Sequence, residues 1–379
     1  MNPLEARVAA EVRRRGPIPF AEVIDLALYD PDHGFYSSGG SAGRRGDFIT
    51  SPEVGPLFGA VLARALDTWW TALGRPDPYV VVAAGAGPGT LARSILAAAP
   101  KCATALRYVR VERAAPLRRR HRDHLPLVDA EQFFAPCAGE DSGDAARPST
   151  VTPDGPLVVS RADMPRVEGP CVVVANELLD NLAFGLWERR FGRWLDVRVD
   201  VDDCVRVERL VPAEHPTWFP EAHDGARAPQ QDAAAAWLTE ALVLAGEGRV
   251  VVIDYAATTA SLCVRPWLGW VRTYRGHQRG THPLDGLGRQ DVTVEVALDQ
   301  LARVRHPALD RAQAEFLAAH GLAELVAEGR RTWAERAHLG DLAALRARSR
   351  IGEAEALGDP AGLGGFRVLE WVGRAPRAV

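Results

Sequence analysis

One stretch of the chain restricts the fold more than any other: an apolar strand, a glycine-rich turn and a helix, in that order. The strand is predicted over Tyr79–Ala84, and helical spacing of apolar residues follows over 91–99. The turn between them contains three alternating glycines, Gly85, Gly87 and Gly89. A second apolar strand is predicted over 106–111. This order is typical of a parallel sheet covered by helices, so the chain is predicted to be an α/β protein.

The glycine turn lets a ligand approach bare backbone and the start of a helix. A dinucleotide-binding turn would need a further glycine three positions after Gly87, where this chain has Thr90. Glu112 ends the second strand, 23 residues after Gly89. This arrangement suits a nucleoside with free ribose hydroxyls and no pyrophosphate, such as S-adenosylmethionine, and disfavours a nicotinamide cofactor. A purely structural turn, with Glu112 on the surface, remains the alternative.

A second candidate site follows the apolar strand predicted over 171–175, where Asn176, Glu177 and Asp180 stand close together. Open α/β sheets place their sites at the carboxyl ends of parallel strands. A carboxylate there could orient a cationic acceptor and take a proton from it. The structural alternative is a helix start, with Asn176 as its cap and the two acids favouring the helix dipole.

Two loops carry weaker signals. Residues 29–52 are too rich in glycine and polar residues for a core element, and their last part could fold over a ligand or merely cover a sheet edge. The candidates in that part are Gly46, Asp47, Thr50 and Ser51. Tyr274 and His277 could face a substrate, although a surface-loop histidine is the commoner outcome.

Composition limits the functional class. The formal net charge of −4 argues against a dedicated nucleic-acid binder. The five cysteines lack metal-ligand spacing, so no metal site is expected. No apolar run is long enough to span a membrane and no signal peptide is evident, which predicts a cytoplasmic protein. The sequence does not decide between a monomer and a homodimer.

Further elements follow from periodicity and turn residues. Two short helices, a longer helix over 56–73 and a further one near 230–244 are predicted. A hairpin around Phe191 and Gly192 with a third strand is predicted within 183–211, and core strands near 156–160, 249–253 and 366–371. The tail is predicted to contain a helix over 308–319 and a polar helical stretch near 330–348.

Six segments in order resemble one family: 28–36, 46–53, 85–91, 175–182, 252–255 and 274–277. Together they are similar to the MidA-like family of S-adenosylmethionine-dependent methyltransferases, whose mitochondrial members are arginine methyltransferases that assist assembly of respiratory complex I. The resemblance runs from about residue 20 to 372.

The resemblance implies a class I, Rossmann-like methyltransferase fold with a mostly parallel seven-stranded sheet. A helical cap and cofactor-covering loop would occupy 1–75, and the methyltransferase domain 76–379. That domain would carry a flexible loop near 136–155, a hairpin and helix insertion near 183–245 and a helical insertion at 300–350.

By the same likeness, the glycine turn with Thr90 would hold the methionine part of S-adenosylmethionine, and Glu112 the ribose. The loop from Gly46 to Ser51 would close over the cofactor. Asn176, Glu177 and Asp180 would face the acceptor, expected to be an arginine of a protein partner.

One position departs from the family pattern. Families of this kind usually have an acidic residue two positions before the first glycine, where this chain has Ala83. Asp47 or Glu53 could replace it. The alternative function is a non-catalytic assembly or scaffold protein that has lost strong cofactor binding.

Overall fold

The structure, a computed structural model, describes residues 2–40, 50–129, 133, 155–203, 205–276 and 278–373. Its helices, numbered in chain order, are α1 (Pro3–Arg15), α2 (Phe20–Tyr29), α3 (Ser51–Val54), α4 (Pro56–Ala72), α5 (Thr90–Ala97), α6 (Ala115–His124), α7 (Asp232–Ala245), α8 (Thr259–Cys263), α9 (Trp267–Trp270), α10 (Leu298–Val304), α11 (Gln313–Ala319), α12 (Leu322–Arg336) and α13 (Leu342–Gly358).

The strands are β1 (Ile18–Pro19), β2 (Tyr79–Ala84), β3 (Leu106–Val111), β4 (Leu157–Arg161), β5 (Val172–Asn176), β6 (Gly185–Arg190), β7 (Arg193–Asp202), β8 (Val205–Val211), β9 (Arg227–Gln230), β10 (Arg249–Asp254), β11 (Ala256–Ala257), β12 (Val271–Arg275), β13 (Gln278–Arg279), β14 (Asp291–Val294), β15 (Val296–Ala297), β16 (Leu309–Ala312) and β17 (Arg367–Val372).

Seven strands form the large sheet, in the order β16-β17-β10-β5-β2-β3-β4. Neighbouring strands from β10 to β4 pair in parallel, whereas β17 runs antiparallel to both β10 and β16. The residues of β2 and β3 are buried throughout, as expected when helices cover both faces of a parallel sheet. The predicted α/β fold with a mostly parallel seven-stranded sheet is confirmed.

Alternate residues of β2 point to opposite faces of this sheet. Val81 and Ala83 belong to an apolar cluster with α4 and α5, whereas Val80 and Val82 pack with α7. The carboxyl ends of the parallel strands therefore open between two helical layers.

The N-terminal helices pack on a second, five-stranded sheet built from β1, β7, β6, β9 and β8. Ile18 of β1 pairs with Val199 of β7, which ties the cap to the predicted hairpin. The hairpin itself turns at Phe191 and Gly192, and β8 adds the expected third strand. The domain boundary at residue 75 remains a prediction; α4, which precedes it, packs on the large sheet.

Several local predictions were wrong. The helix predicted over 308–319 begins only at Gln313, because Leu309–Ala312 pairs with β17 at the sheet edge. The polar helical stretch near 330–348 is two helices, separated by a turn in which Gly340 has a φ of +59°. The helix start with Asn176 as its cap, which was the structural alternative for this segment, is not formed; β5 is followed instead by a 3₁₀ turn at Leu179–Asn181. Most of the loop predicted near 136–155 lies outside the described residues.

Candidate active site

A cavity of about 440 Å³ lies at the carboxyl edge of the parallel strands, where open α/β sheets place ligands. Residues from the ends of β2, β3, β4 and β5 line it, together with side chains of α2, α3 and α7. Those used below are Tyr29, Tyr36, Thr50, Pro52, Glu53, Ala83, Gly85, Gly87, Gly89, Thr90, Arg110, Glu112, Asp163, Met164, Asn176, Glu177, Asn181, Trp237 and Glu240.

The glycine turn forms the floor of the cavity. Gly85, Gly87 and Gly89 all have positive φ, a backbone conformation that L side chains rarely adopt. At Gly89, where φ is +94°, a Cβ would lie 2.5 Å from Nη1 of Arg110. Thr90 begins α5 directly after the turn. The turn is thus a backbone cradle beside a helix start, a suitable place for a ligand to approach.

Glu112 holds the turn from the neighbouring strand. Its Oε2 accepts a hydrogen bond from the Gly87 amide at 2.9 Å, and its Oε1 accepts one from the Ala114 amide at 2.7 Å. Burial raises the pKa of this carboxyl. Each carboxylate oxygen can accept a second hydrogen bond, so the group can still receive ribose hydroxyls.

A histidine that the sequence analysis did not single out, His121, forms a hydrogen bond to the glycine turn. His121 of α6 is fully buried, and burial lowers its pKa to about 4, so its ring is neutral. Nε2 lies 2.9 Å from the Gly87 carbonyl, and Nδ1 lies 2.7 Å from Oγ of Ser160. Because a carbonyl oxygen can only accept, Nε2 donates to Gly87 and Nδ1 accepts from Ser160.

Arg110 of β3 is also fully buried beside the turn. Its Nη2 donates to the His121 carbonyl at 3.1 Å, while Nε and Nη1 have no hydrogen-bond partner among the described residues. Burial lowers the pKa of this guanidinium to about 10. Nothing in the composition of β3 distinguishes this arginine from a solvent-facing one, and the sequence analysis missed it.

Glu177 stands at the end of β5 on the other side of the turn. Its φ of +51° is uncommon for a residue with a side chain and costs about 1 kcal/mol. Its Oε1 accepts hydrogen bonds of 3.0 Å from the Ser51 amide and of 3.0 Å from Nδ2 of Asn176. Burial, and next the charge of Asp180, raise the pKa of Glu177 to about 8.

Asp180 does not line the cavity; it lies behind Glu177. Its side chain is buried and is absent from the described residues that line the cavity. Oδ2 accepts a hydrogen bond of 2.7 Å from the hydroxyl of Tyr255, whereas Oδ1 has no partner among the described residues. Burial raises the pKa of Asp180 to about 6.

Two more buried carboxyls, both missed from the sequence, adjoin Asp180. Asp254 accepts from the amides of Leu179 at 3.1 Å and of Asp180 at 3.3 Å, and burial raises its pKa well above the usual value. Asp291 accepts from the hydroxyl of Tyr36 at 3.0 Å, and burial raises its pKa to about 7. Glu177, Asp180, Asp254 and Asp291 thus form one cluster of four carboxyls beside the cavity.

The segment after the predicted covering loop forms another wall. Thr50, Pro52 and Glu53 line the cavity, and Ser51 is buried behind them, with its Oγ 3.1 Å from Oε1 of Gln313. Gly46 and Asp47 lie outside the described residues. The other end of the cavity holds Asp163 and Met164, which follow β4, and Trp237 and Glu240 of α7.

The two predicted substrate residues are not brought to this cavity. Tyr274 is half-buried in β12, opposite Asp291 in β14, and is not among the described residues that line the cavity. His277 lies outside the described residues. Within the described parts of the chain, no three His, Cys, Asp or Glu side chains are arranged to hold a metal ion. None of the described helices has the length and apolar character needed to cross a membrane.

Comparisons with known proteins connect this site to one family. The family described as "Putative S-adenosyl-L-methionine-dependent methyltransferase" matches residues 61–316. Over 205 residues the chain is 30% identical to the protein arginine methyltransferase NDUFAF7 homolog, mitochondrial, of Drosophila melanogaster, covering 52% of this chain and 45% of that protein. Over 264 residues it is 25% identical to human NDUFAF7, covering 67% of this chain and 59% of that protein. The chain thus spans about half the length of these curated relatives.

The likeness to solved structures extends over nearly the whole chain. A COG1565 superfamily member from Burkholderia thailandensis, crystallised with S-adenosyl-homocysteine, superposes with a TM-score of 0.78 at 26% identity, covering 97% of this chain and 91% of that one. A native crystal structure from the same superfamily and organism gives 0.77 at 25% identity, covering 99% and 92%. These matches confirm the class I methyltransferase fold.

The glycine cradle and the strand-end carboxylate fit the nucleoside cofactor carried by the first of these structures. Since the family match covers more than half of the chain and includes both features, this protein belongs to the MidA-like family of S-adenosylmethionine-dependent methyltransferases, and S-adenosylmethionine is its cofactor.

Proposed function

We propose that the protein transfers a methyl group from S-adenosylmethionine to an arginine side chain of a protein partner. The names of the curated relatives support an arginine acceptor, although the matched segments span only part of those proteins. The chemistry of the cavity wall at the end of β5 supports the same acceptor.

The observation that carries the proposal is the pair Asn176 and Glu177. Both residues line the cavity, and the hydrogen bonds to Glu177 from Ser51 and Asn176 are all received by Oε1. Among the described residues, Oε2 of Glu177 and Oδ1 of Asn176 are left without a hydrogen-bond partner. A guanidinium is a planar fork of donors that pairs well with two such acceptor oxygens.

The cofactor supplies an electrophilic methyl group on a sulfonium. As the arginine nitrogen bonds to that carbon, the sulfur–methyl bond breaks and the nitrogen gives up one proton. Burial gives Glu177 a pKa of about 8 in the ligand-free chain, and the positive charge of a bound guanidinium favours its ionised form. Glu177 is therefore placed to pair with the guanidinium as a carboxylate and to take the proton that its nitrogen releases. The Ser51 amide and Asn176 keep its carboxyl in one orientation, and Tyr29 and Tyr36 help to exclude water.

Transfer of a tritiated methyl group tests this function. The full-length protein is incubated with labelled S-adenosylmethionine and with peptides that differ only in carrying arginine, lysine or neither, and mass spectrometry locates the methyl group. We expect label on arginine, and a fall in kcat of about 100-fold or more for Glu177→Gln. Glu355→Gln, which removes an exposed carboxylate on α13, is the matched control. Label on lysine, or a wild-type rate for Glu177→Gln, would contradict the proposal.

A non-catalytic assembly role is the second candidate, and Ala83 is the observation that favours it. That role predicts no binding of S-adenosylhomocysteine at millimolar concentration in a calorimetric titration. A cytoplasmic location remains a prediction, and the choice between a monomer and a homodimer stays open.

A further inference from the structure

The order of strands fixes how the cofactor lies along the sheet edge. Glu112 at the end of β3 takes the ribose position, and Asp163 and Met164 after β4 lie beyond it on one side. On the other side come β2 with its glycine turn and β5 with Glu177. The transferred methyl must face the acceptor at β5, so the methionine end of the cofactor extends over β2 and the adenine lies toward β4.

The methionine end carries a primary ammonium, and an ammonium leaving water needs an anionic partner. Strand β2 offers none, because the side chain that points from it into the cavity on the α5 side is that of Ala83. The partner must therefore come from a carboxylate elsewhere on the cavity wall. Among the described residues, five carboxylates line it: Glu53, Glu112, Asp163, Glu177 and Glu240.

The positions of four of these carboxylates exclude them as partners of the ammonium. Glu112 is held at β3 by the Gly87 and Ala114 amides. Asp163 follows β4 and Glu240 lies on α7, which packs on the opposite face of the sheet from Ala83. Glu177 lies on the correct side, but it is fixed by Ser51 and Asn176 and is assigned to the acceptor.

Of the carboxylates in the described part of the chain, Glu53 is the one that remains. It lies on α3, next to Val54, which packs against the same apolar cluster as Ala83. Its carboxylate makes no hydrogen bond or ion pair with the described residues, and it lines the cavity with Thr50 and Pro52. A side chain at position 83 would project from the strand toward this same helical layer.

We propose that Glu53 binds the α-ammonium of the cofactor, supplying from α3 the carboxylate that β2 lacks at Ala83. Hydrogen bonds fix α3 near both of its ends. The Ser51 amide donates to Glu177, and the Leu57 amide just beyond α3 donates to Glu353 of α13 at 2.9 Å. This inference rests on the use of S-adenosylmethionine in the proposed function and is independent of the identity of the acceptor.

Two ligands distinguish a specific contact between Glu53 and the ammonium from a general distortion of the cavity. S-adenosylhomocysteine carries the ammonium, whereas 5′-methylthioadenosine has the same adenosine and thioether but no amino-acid end. Calorimetric titration of the full chain with each ligand should show S-adenosylhomocysteine binding about tenfold or more weakly to Glu53→Gln than to the wild type. Binding of 5′-methylthioadenosine should stay within about twofold, and Glu355→Gln should bind both ligands as the wild type does.

A second substitution tests the compensation directly. Adding Ala83→Glu to Glu53→Gln should restore most of the affinity for S-adenosylhomocysteine, since the carboxylate returns from the strand. If this double variant does not fold, Glu53→Ala is titrated with the two ligands and decides in its place. Equal binding of S-adenosylhomocysteine by Glu53→Gln and wild type, or equal weakening for both ligands, would overturn the inference. A wild type that binds neither ligand would instead refute the methyltransferase function itself.

Discussion

Glu177→Gln should change how the stability of the ligand-free protein depends on pH. The pKa of Glu177 is raised from 4.5 to about 8 in the folded chain. Between these values the folded state holds a proton that the unfolded state has lost, so stability decreases as pH rises through this window. At 1.36 kcal/mol per pH unit, the step from pH 5.5 to 7.5 amounts to about 2.5 kcal/mol. Because the side chain is only half-buried, solvent screening reduces this to about 1–2 kcal/mol.

Glutamine keeps an oxygen that can accept from Ser51 and Asn176 but has no proton to lose, so the variant isolates the ionisation. Urea unfolding of wild type and Glu177→Gln at pH 5.5, 6.5 and 7.5 measures the difference. We expect the variant to gain stability relative to the wild type with each step in pH. Parallel pH profiles, or a gain at low pH only, would refute the reasoning.

Two further predictions concern the glycine turn. Gly89→Ala should weaken S-adenosylhomocysteine binding by about tenfold or more, because the new Cβ would lie 2.5 Å from Arg110 and φ is +94°. Gly192→Ala, at φ +74° with open space around it, is the control in calorimetry and should bind normally. Glu112→Gln should weaken the binding of S-adenosylhomocysteine and of 5′-methylthioadenosine alike, by about tenfold, because both ligands carry the ribose. The NH₂ group of the glutamine would face an amide donor of Gly87 or Ala114. A loss confined to S-adenosylhomocysteine would contradict the ribose role in that titration.

The parts of the fold that could be predicted are those with local signals. β2, the glycine turn and α5 follow one another directly, and apolar runs mark β3, β5 and β10 as buried strands. The sequence likewise brought Glu112 and Glu177 forward, because each ends such a strand. Both line the cavity, as does Asn176.

The parts that were missed depend on pairing across long stretches of chain. Leu309–Ala312 has helical spacing and becomes a strand only because β17 offers an edge. Strands β12 and β14 join residues 271 and 294, and through β14 Asp291 reaches Tyr36, which lies 255 positions earlier. His121 and Arg110 look like members of a basic surface until the fold buries them beneath the glycine turn.

The attachment of α3 makes the cofactor site depend on the far end of the chain. Ser51 is bound by Glu177 and Gln313, and the Leu57 amide by Glu353, partners that are 126, 262 and 296 positions away. A fragment ending before Gln313 would retain the glycine turn, Glu112 and Glu177 yet lose two of these three anchors. We therefore expect the region needed for cofactor affinity to extend through α13, past the segment 61–316 that matches the family.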